Sequence, residues 1–136
     1  KTVFNQPIDA MFFMIIAALG FATVENIIAL LGEVLSAPNY ALSIQDVTQL
    51  AALRFIGATL VHALSSGIVG FYWAKSIERF FAKKYLVFGI ILGVLVHALF
   101  NWMILYLSSI IYAIIILAII GLFVLNDFEK LKRRAV

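Results

Sequence analysis

Four long apolar runs alternate with short polar stretches along the chain. The first covers about 10–31, the second about 47–74, the third about 85–107 and the fourth about 108–125. At ~1.5 Å per residue, a run of about 20 apolar residues crosses a hydrocarbon core of ~30 Å. The pattern predicts an all-α fold, a polytopic transmembrane bundle of four spans in one integral membrane domain over 1–136. Pro38 and Asn39 mark a turn between the first two spans, and Ser108 and Ser109 a tight turn between the last two. The final stretch, NDFEKLKRRAV, reads as a short amphipathic or frayed end at the membrane surface.

Composition agrees. The 136 residues are 65% hydrophobic and 12% charged, about half the charge of a soluble domain. There is no cysteine, which excludes disulfides, thiolate metal sites and cysteine nucleophiles. The net charge of +3 is concentrated between spans, so it reads as a topology signal rather than a nucleic-acid footprint. Lys75, Arg79, Lys83 and Lys84 lie between the second and third spans, and Lys130, Lys132, Arg133 and Arg134 in the tail. The 32–46 loop holds Glu33 and Asp46 and no Lys or Arg. The positive-inside rule then puts Lys1 and the C-terminal tail in the cytoplasm and the 32–46 loop outside. The basic tail is expected to hold anionic membrane lipid, and no nucleic-acid partner is expected. The chain starts at Lys1 with no secretory signal, and the expectation is the C-terminal part of a longer protein.

The spans are not uniformly apolar. The first carries Glu25 and Asn26, the second Arg54 and His62, and the third His97 and Asn101. Counted from the span ends, Glu25, Arg54 and Asn101 fall in the outer third, with His62 and His97 nearer the midplane. A carboxylate at membrane depth costs about 2.5–3.5 kcal/mol even on lenient scales, so these groups should face one another or a wet cavity. Gly89, Gly93, His97 and Asn101 follow at i+4 and are expected to form one packed ridge. Ser66, Gly70 and Ala74 form a comparable small-residue row, and Ser65 or Ser66 could share the face of His62. One Glu, two His and an Asn can activate a water and stabilise an oxyanion. The same Glu and His set could instead bind a divalent metal such as zinc. The bland readings are an interhelical hydrogen bond for each His and Asn, and a structural ion pair between Glu25 and Arg54.

FNQPIDAMFFMIIAALGFATVENI, RFIGATLVHALSSGIVGFYWAK and VHALFNW together resemble the second, third and fourth signatures of the PrsW-type intramembrane proteases. Pro7, Asp9, Gly20, Phe21, Ala22, Glu25 and Asn26 carry the first of these matches. Arg54, His62, Ser65, Gly67 and Gly70 carry the next, and His97 and Asn101 the last. The family groups with CAAX endopeptidases and bacteriocin-processing proteins. The resemblance implies a membrane-embedded peptidase that cuts a membrane-anchored protein, such as an anti-sigma factor, in a bacterial plasma membrane. It implies water activated by glutamate, with His and Asn stabilising the oxyanion; no cofactor is expected, though some members look metal-dependent. It implies Glu25, His62, His97 and Asn101 as catalytic residues, with Asn26 and Arg54 accessory and Arg54 the charge partner of a site carboxylate. The family's first signature, an E-E-x-x-K pair, has no match here. In related endopeptidases that pair supplies the base, so Glu25 is carried over as a site residue and not named as the base.

Two other classes compete with the peptidase. A non-catalytic binding, immunity or chaperone-like membrane protein would tolerate substitution of the histidines. A small cation or proton carrier would use Glu25 and the His pair, but nothing breaks the first helix near Glu25.

Overall fold

The computed structural model describes residues 6–36, 43–80, 82–106 and 110–135. They form α1 (Pro7–Ser36), α2 (Ile44–Glu78), α3 (Lys83–Tyr106) and α4 (Ile110–Ala135), with no strand among the described residues. All four are long and apolar enough to cross a membrane. With many large apolar side chains facing outward, this is an integral membrane protein. The turns expected at Pro38–Asn39 and Ser108–Ser109 lie outside the described residues.

Helix ends differ from the apolar runs for local reasons. Pro7 occupies the first turn of α1, where its missing N–H costs nothing, and the Asp9 carboxylate accepts the Gln6 N–H at 2.9 Å. The Pro-x-Asp element is therefore a helix start. α2 begins at Ile44, not near 47, because Ser43 and Asp46 close a capping box. The Ser43 N–H donates to Asp46 Oδ2 at 3.0 Å, and the Asp46 N–H to Ser43 Oγ at 3.1 Å. At ~1.5 Å per residue, α2 is about 50 Å long, so it must tilt or project beyond the hydrocarbon.

Between α2 and α3 the chain turns within a few residues. Phe80, at φ 53°, takes the left-handed conformation that reverses it, and Ser76 Oγ donates to the Ala82 carbonyl at 3.2 Å. Of the two forms expected for the tail, the amphipathic one holds and the frayed one is corrected. α4 runs without a break to Ala135, because Val124, Phe128 and Leu131 continue one apolar stripe against the core.

α2 is the central helix and packs on all three others, whereas α1 and α3 barely meet. Ala10, Met11, Ala18, Ala22 and Asn26 face inward from α1. Gly70 of α2 meets α1 so closely that a Cβ there would lie 2.5 Å from Met11 Cα. On α3, a Cβ at Gly89 would lie 2.5 Å from Tyr72 Cβ, and one at Gly93 2.8 Å from Val69 Cγ2. Small residues thus set how near the flanking helices approach α2. α4 buries Ala113, Leu117, Val124 and Leu131 and leaves its other faces to lipid.

Candidate functional site

The close crossings bring polar groups of three helices to one level. Ala18, Ala22 and Asn26 repeat at i+4 along the α2-facing side of α1, and Asn26 is buried among them. Its amide Nδ2 donates to Thr59 Oγ1 of α2 at 3.0 Å. That bond fixes the register of the two helices here. Phe21 and Glu25 form the neighbouring i+4 row and reach past this seam to His62.

Glu25 Oε2 and His62 Nε2 are 2.6 Å apart. This is ion-pair distance, yet Oε2 is buried and accepts no aligned hydrogen bond among the described residues. The carboxylate therefore sits off the direction of the imidazole N–H. His62 is almost wholly buried, while 42% of the Glu25 side chain is exposed. His97 of α3 completes the group, its ring centre 4.5 Å from that of His62 in an edge-to-face arrangement. Phe21 covers His62 from α1, with ring centres 5.3 Å apart. The Ser65 hydroxyl does not join the site; it donates to the His62 carbonyl at 3.2 Å, within α2.

Two of the expected groups lie elsewhere. Asn101 is exposed rather than packed behind His97. A four-residue step turns a helix by about 400°, so an i+4 row drifts by about 40° each step. Gly89 and Gly93 face α2, His97 lies at the margin, and Asn101 has swung clear. Phe100 and Met103 are buried in its place. Arg54 is not the partner of Glu25. It forms no ion pair among the described residues, and its Nε is buried without a hydrogen bond. Two residues that sequence reasoning left without a site role now matter. Thr59 is visible only as one of the polar residues in the first half of the second span, and Phe21 only as part of the motif match; neither was given a role at the site.

Comparison with known proteins places this arrangement. The family model described as "PrsW family intramembrane metalloprotease" matches residues 1–125. The chain belongs to the PrsW family. It is 31% identical over 105 residues to "Protease PrsW" of Geobacillus kaustophilus (strain HTA426), covering 75% of this chain and 40% of that protein. It is 28% identical over 134 residues to "Protease PrsW" of Clostridioides difficile (strain 630), covering 93% of this chain and 52% of that protein. The chain thus spans about half the length, or less, of these two PrsW relatives. No solved structure matches.

The family description names a metalloprotease, and a metal needs a set of ligands at defined spacing. Carboxylate and imidazole suit zinc by chemistry. Two ligands at ~2.0–2.1 Å from a tetrahedral zinc stand roughly 3.3 Å apart, wider than the 2.6 Å between Glu25 and His62. No group of three or more His, Cys, Asp or Glu side chains is placed to hold a metal ion among the described residues. As arranged, Glu25, His62 and His97 do not form a metal-ligand set.

Proposed function

We propose that this chain carries site residues of an intramembrane endopeptidase that hydrolyses a peptide bond in a single-span membrane protein, such as an anti-sigma factor. The observation that carries this reading is the Glu25–His62 contact at 2.6 Å with the His97 ring against it. Peptide hydrolysis needs a water made more nucleophilic and a developing oxyanion met by a donor. Glu25 has a buried oxygen with no aligned donor, which suits holding a water proton. His62 is in contact with that carboxylate and can pass or hold a proton. His97, half-buried beside His62, offers an imidazole N–H toward an oxyanion. The amide of Asn101 and the guanidinium of Arg54 lie outside this contact group and are proposed to meet the substrate or another part of the protein. Asn26 holds α1 against α2 and so positions Glu25.

The orientation belongs to the same proposal. The α2–α3 turn and the end of α4 carry most of the basic residues and are assigned to the cytoplasm, with 32–46 outside. The test is cleavage of a single-span reporter by the full-length protein in membranes. Glu25→Gln, His62→Ala and His97→Ala should each abolish it with insertion unchanged. Full cleavage by the His62→Ala and His97→Ala variants would instead favour a non-catalytic binding protein.

A further inference from the structure

The last turns of α4 are packed, not loose. Leu131 is 2% exposed, and Phe128 packs against the same core. The helix that carries the basic residues beside them is therefore held in place. Two lysines of different helices converge there on one buried ring. Lys75 of α2 has Nζ 4.4 Å from the centre of Phe71, and Lys130 of α4 has Nζ 5.9 Å from the same centre. Lys130 is paired with Asp127 at 2.8 Å. Arg79, Lys83 and Lys84 follow Lys75 in the chain and Lys132 and Arg133 follow Lys130, against Glu78 and Glu129, so positive charge is in excess along both stretches.

An apolar groove on the α2–α4 seam, lined by Leu60, Leu64, Leu117, Gly121 and Val124 among others, lies further into the membrane. Leu60, Leu64, Phe71 and Lys75 are separated by four, seven and four residues and so share one face of α2. The groove and the lysines thus lie along the same side of the bundle. We propose that this seam binds an anionic phospholipid, with an acyl chain along the groove and the phosphate at Lys75 and Lys130. A phosphodiester supplies the negative charge and acceptor oxygens that two ammonium groups need. An acyl chain supplies apolar surface to fill the groove, which a soluble phosphate does not.

The test uses the full-length protein in mild detergent, titrated with phosphatidylglycerol, phosphatidylcholine and glycerol phosphate, with bound species counted by native mass spectrometry. Phosphatidylglycerol should bind roughly 25-fold tighter than phosphatidylcholine, since each of the two lysines near a headgroup is worth about a fivefold change. K75Q/K130Q should remove the preference, K75R/K130R should restore it, and K132Q/R133Q should keep most of it. Three results would overturn the proposal: no preference in the wild type, a preference kept by K75Q/K130Q, or one lost equally in K132Q/R133Q. Glycerol phosphate binding as tightly as the lipid would overturn it too, because the site would then be one for a soluble anion. The wild-type comparison stands even where K75Q/K130Q fails to fold.

Discussion

Glu25 of α1 and His62 of α2 approach to 2.6 Å inside a bundle whose described spans hold few other ionisable groups. Removing the charge while keeping the shape isolates its role. Glu25→Gln should lower reporter cleavage by about 10²-fold or more, the scale of a lost acid–base group. The variant should insert and accumulate as the wild type does. Activity within a few-fold of wild type would show that the carboxylate takes no part in the reaction.

The Asn26–Thr59 hydrogen bond should be worth about 0.6–1.7 kcal/mol, the range for such bonds between membrane helices. Thr59→Val, which keeps the shape, should lower stability in a denaturant titration by that amount and reduce cleavage through Glu25. Thr59→Ser should restore both. Equal stability for the Val and wild-type proteins would show that the bond fixes nothing.

Glycines make a paired prediction. A Cβ at Gly70 would meet Met11 Cα at 2.5 Å, and that is backbone, which cannot step aside. Gly70→Ala should cost about 1–3 kcal/mol, the range for overpacking. A Cβ at Gly20 has nothing within 4 Å, and its helix would gain up to ~1 kcal/mol of propensity. Gly20→Ala should therefore be neutral or stabilising in the same titration. The opposite order would contradict the packing of α1 on α2.

Slow exchange of backbone amides across 126–133 is the expected signature of the packed end of α4. Leu131→Ala should raise exchange there and leave α3 unchanged. Fast exchange across this stretch in the wild-type protein would restore the picture of a frayed tail.

Much of this was legible in the sequence, and the misses have physical causes. Four spans followed from apolar runs that only a membrane accommodates. Depth along each helix matched His62 to His97, but it set Glu25 further out with Arg54 and Asn101, whereas the structure brings Glu25 to His62. Rotation is less forgiving. The i+4 row from Gly89 to Asn101 looks like one ridge on paper, but its drift carries Asn101 out of the interface. Ser43 and Asp46 were a readable capping box hidden in an otherwise loop-like stretch. The end of α4 was misread because its charges mask Phe128 and Leu131, which keep the stripe begun at Val124. The Arg54–Glu25 pair fails for a simpler reason. Glu25 meets His62, and Arg54 lies eight residues earlier on α2, about 12 Å along the helix axis.

The central claim is that the Glu25–His62–His97 group is chemical rather than structural. The most direct measurement is cleavage of a single-span reporter by full-length wild type, His62→Ala and His97→Ala, with membrane insertion quantified in the same samples. The account predicts that the inserted variants lose cleavage by about 10²-fold or more while the wild type cuts. Cleavage retained by both variants at wild-type levels would contradict it.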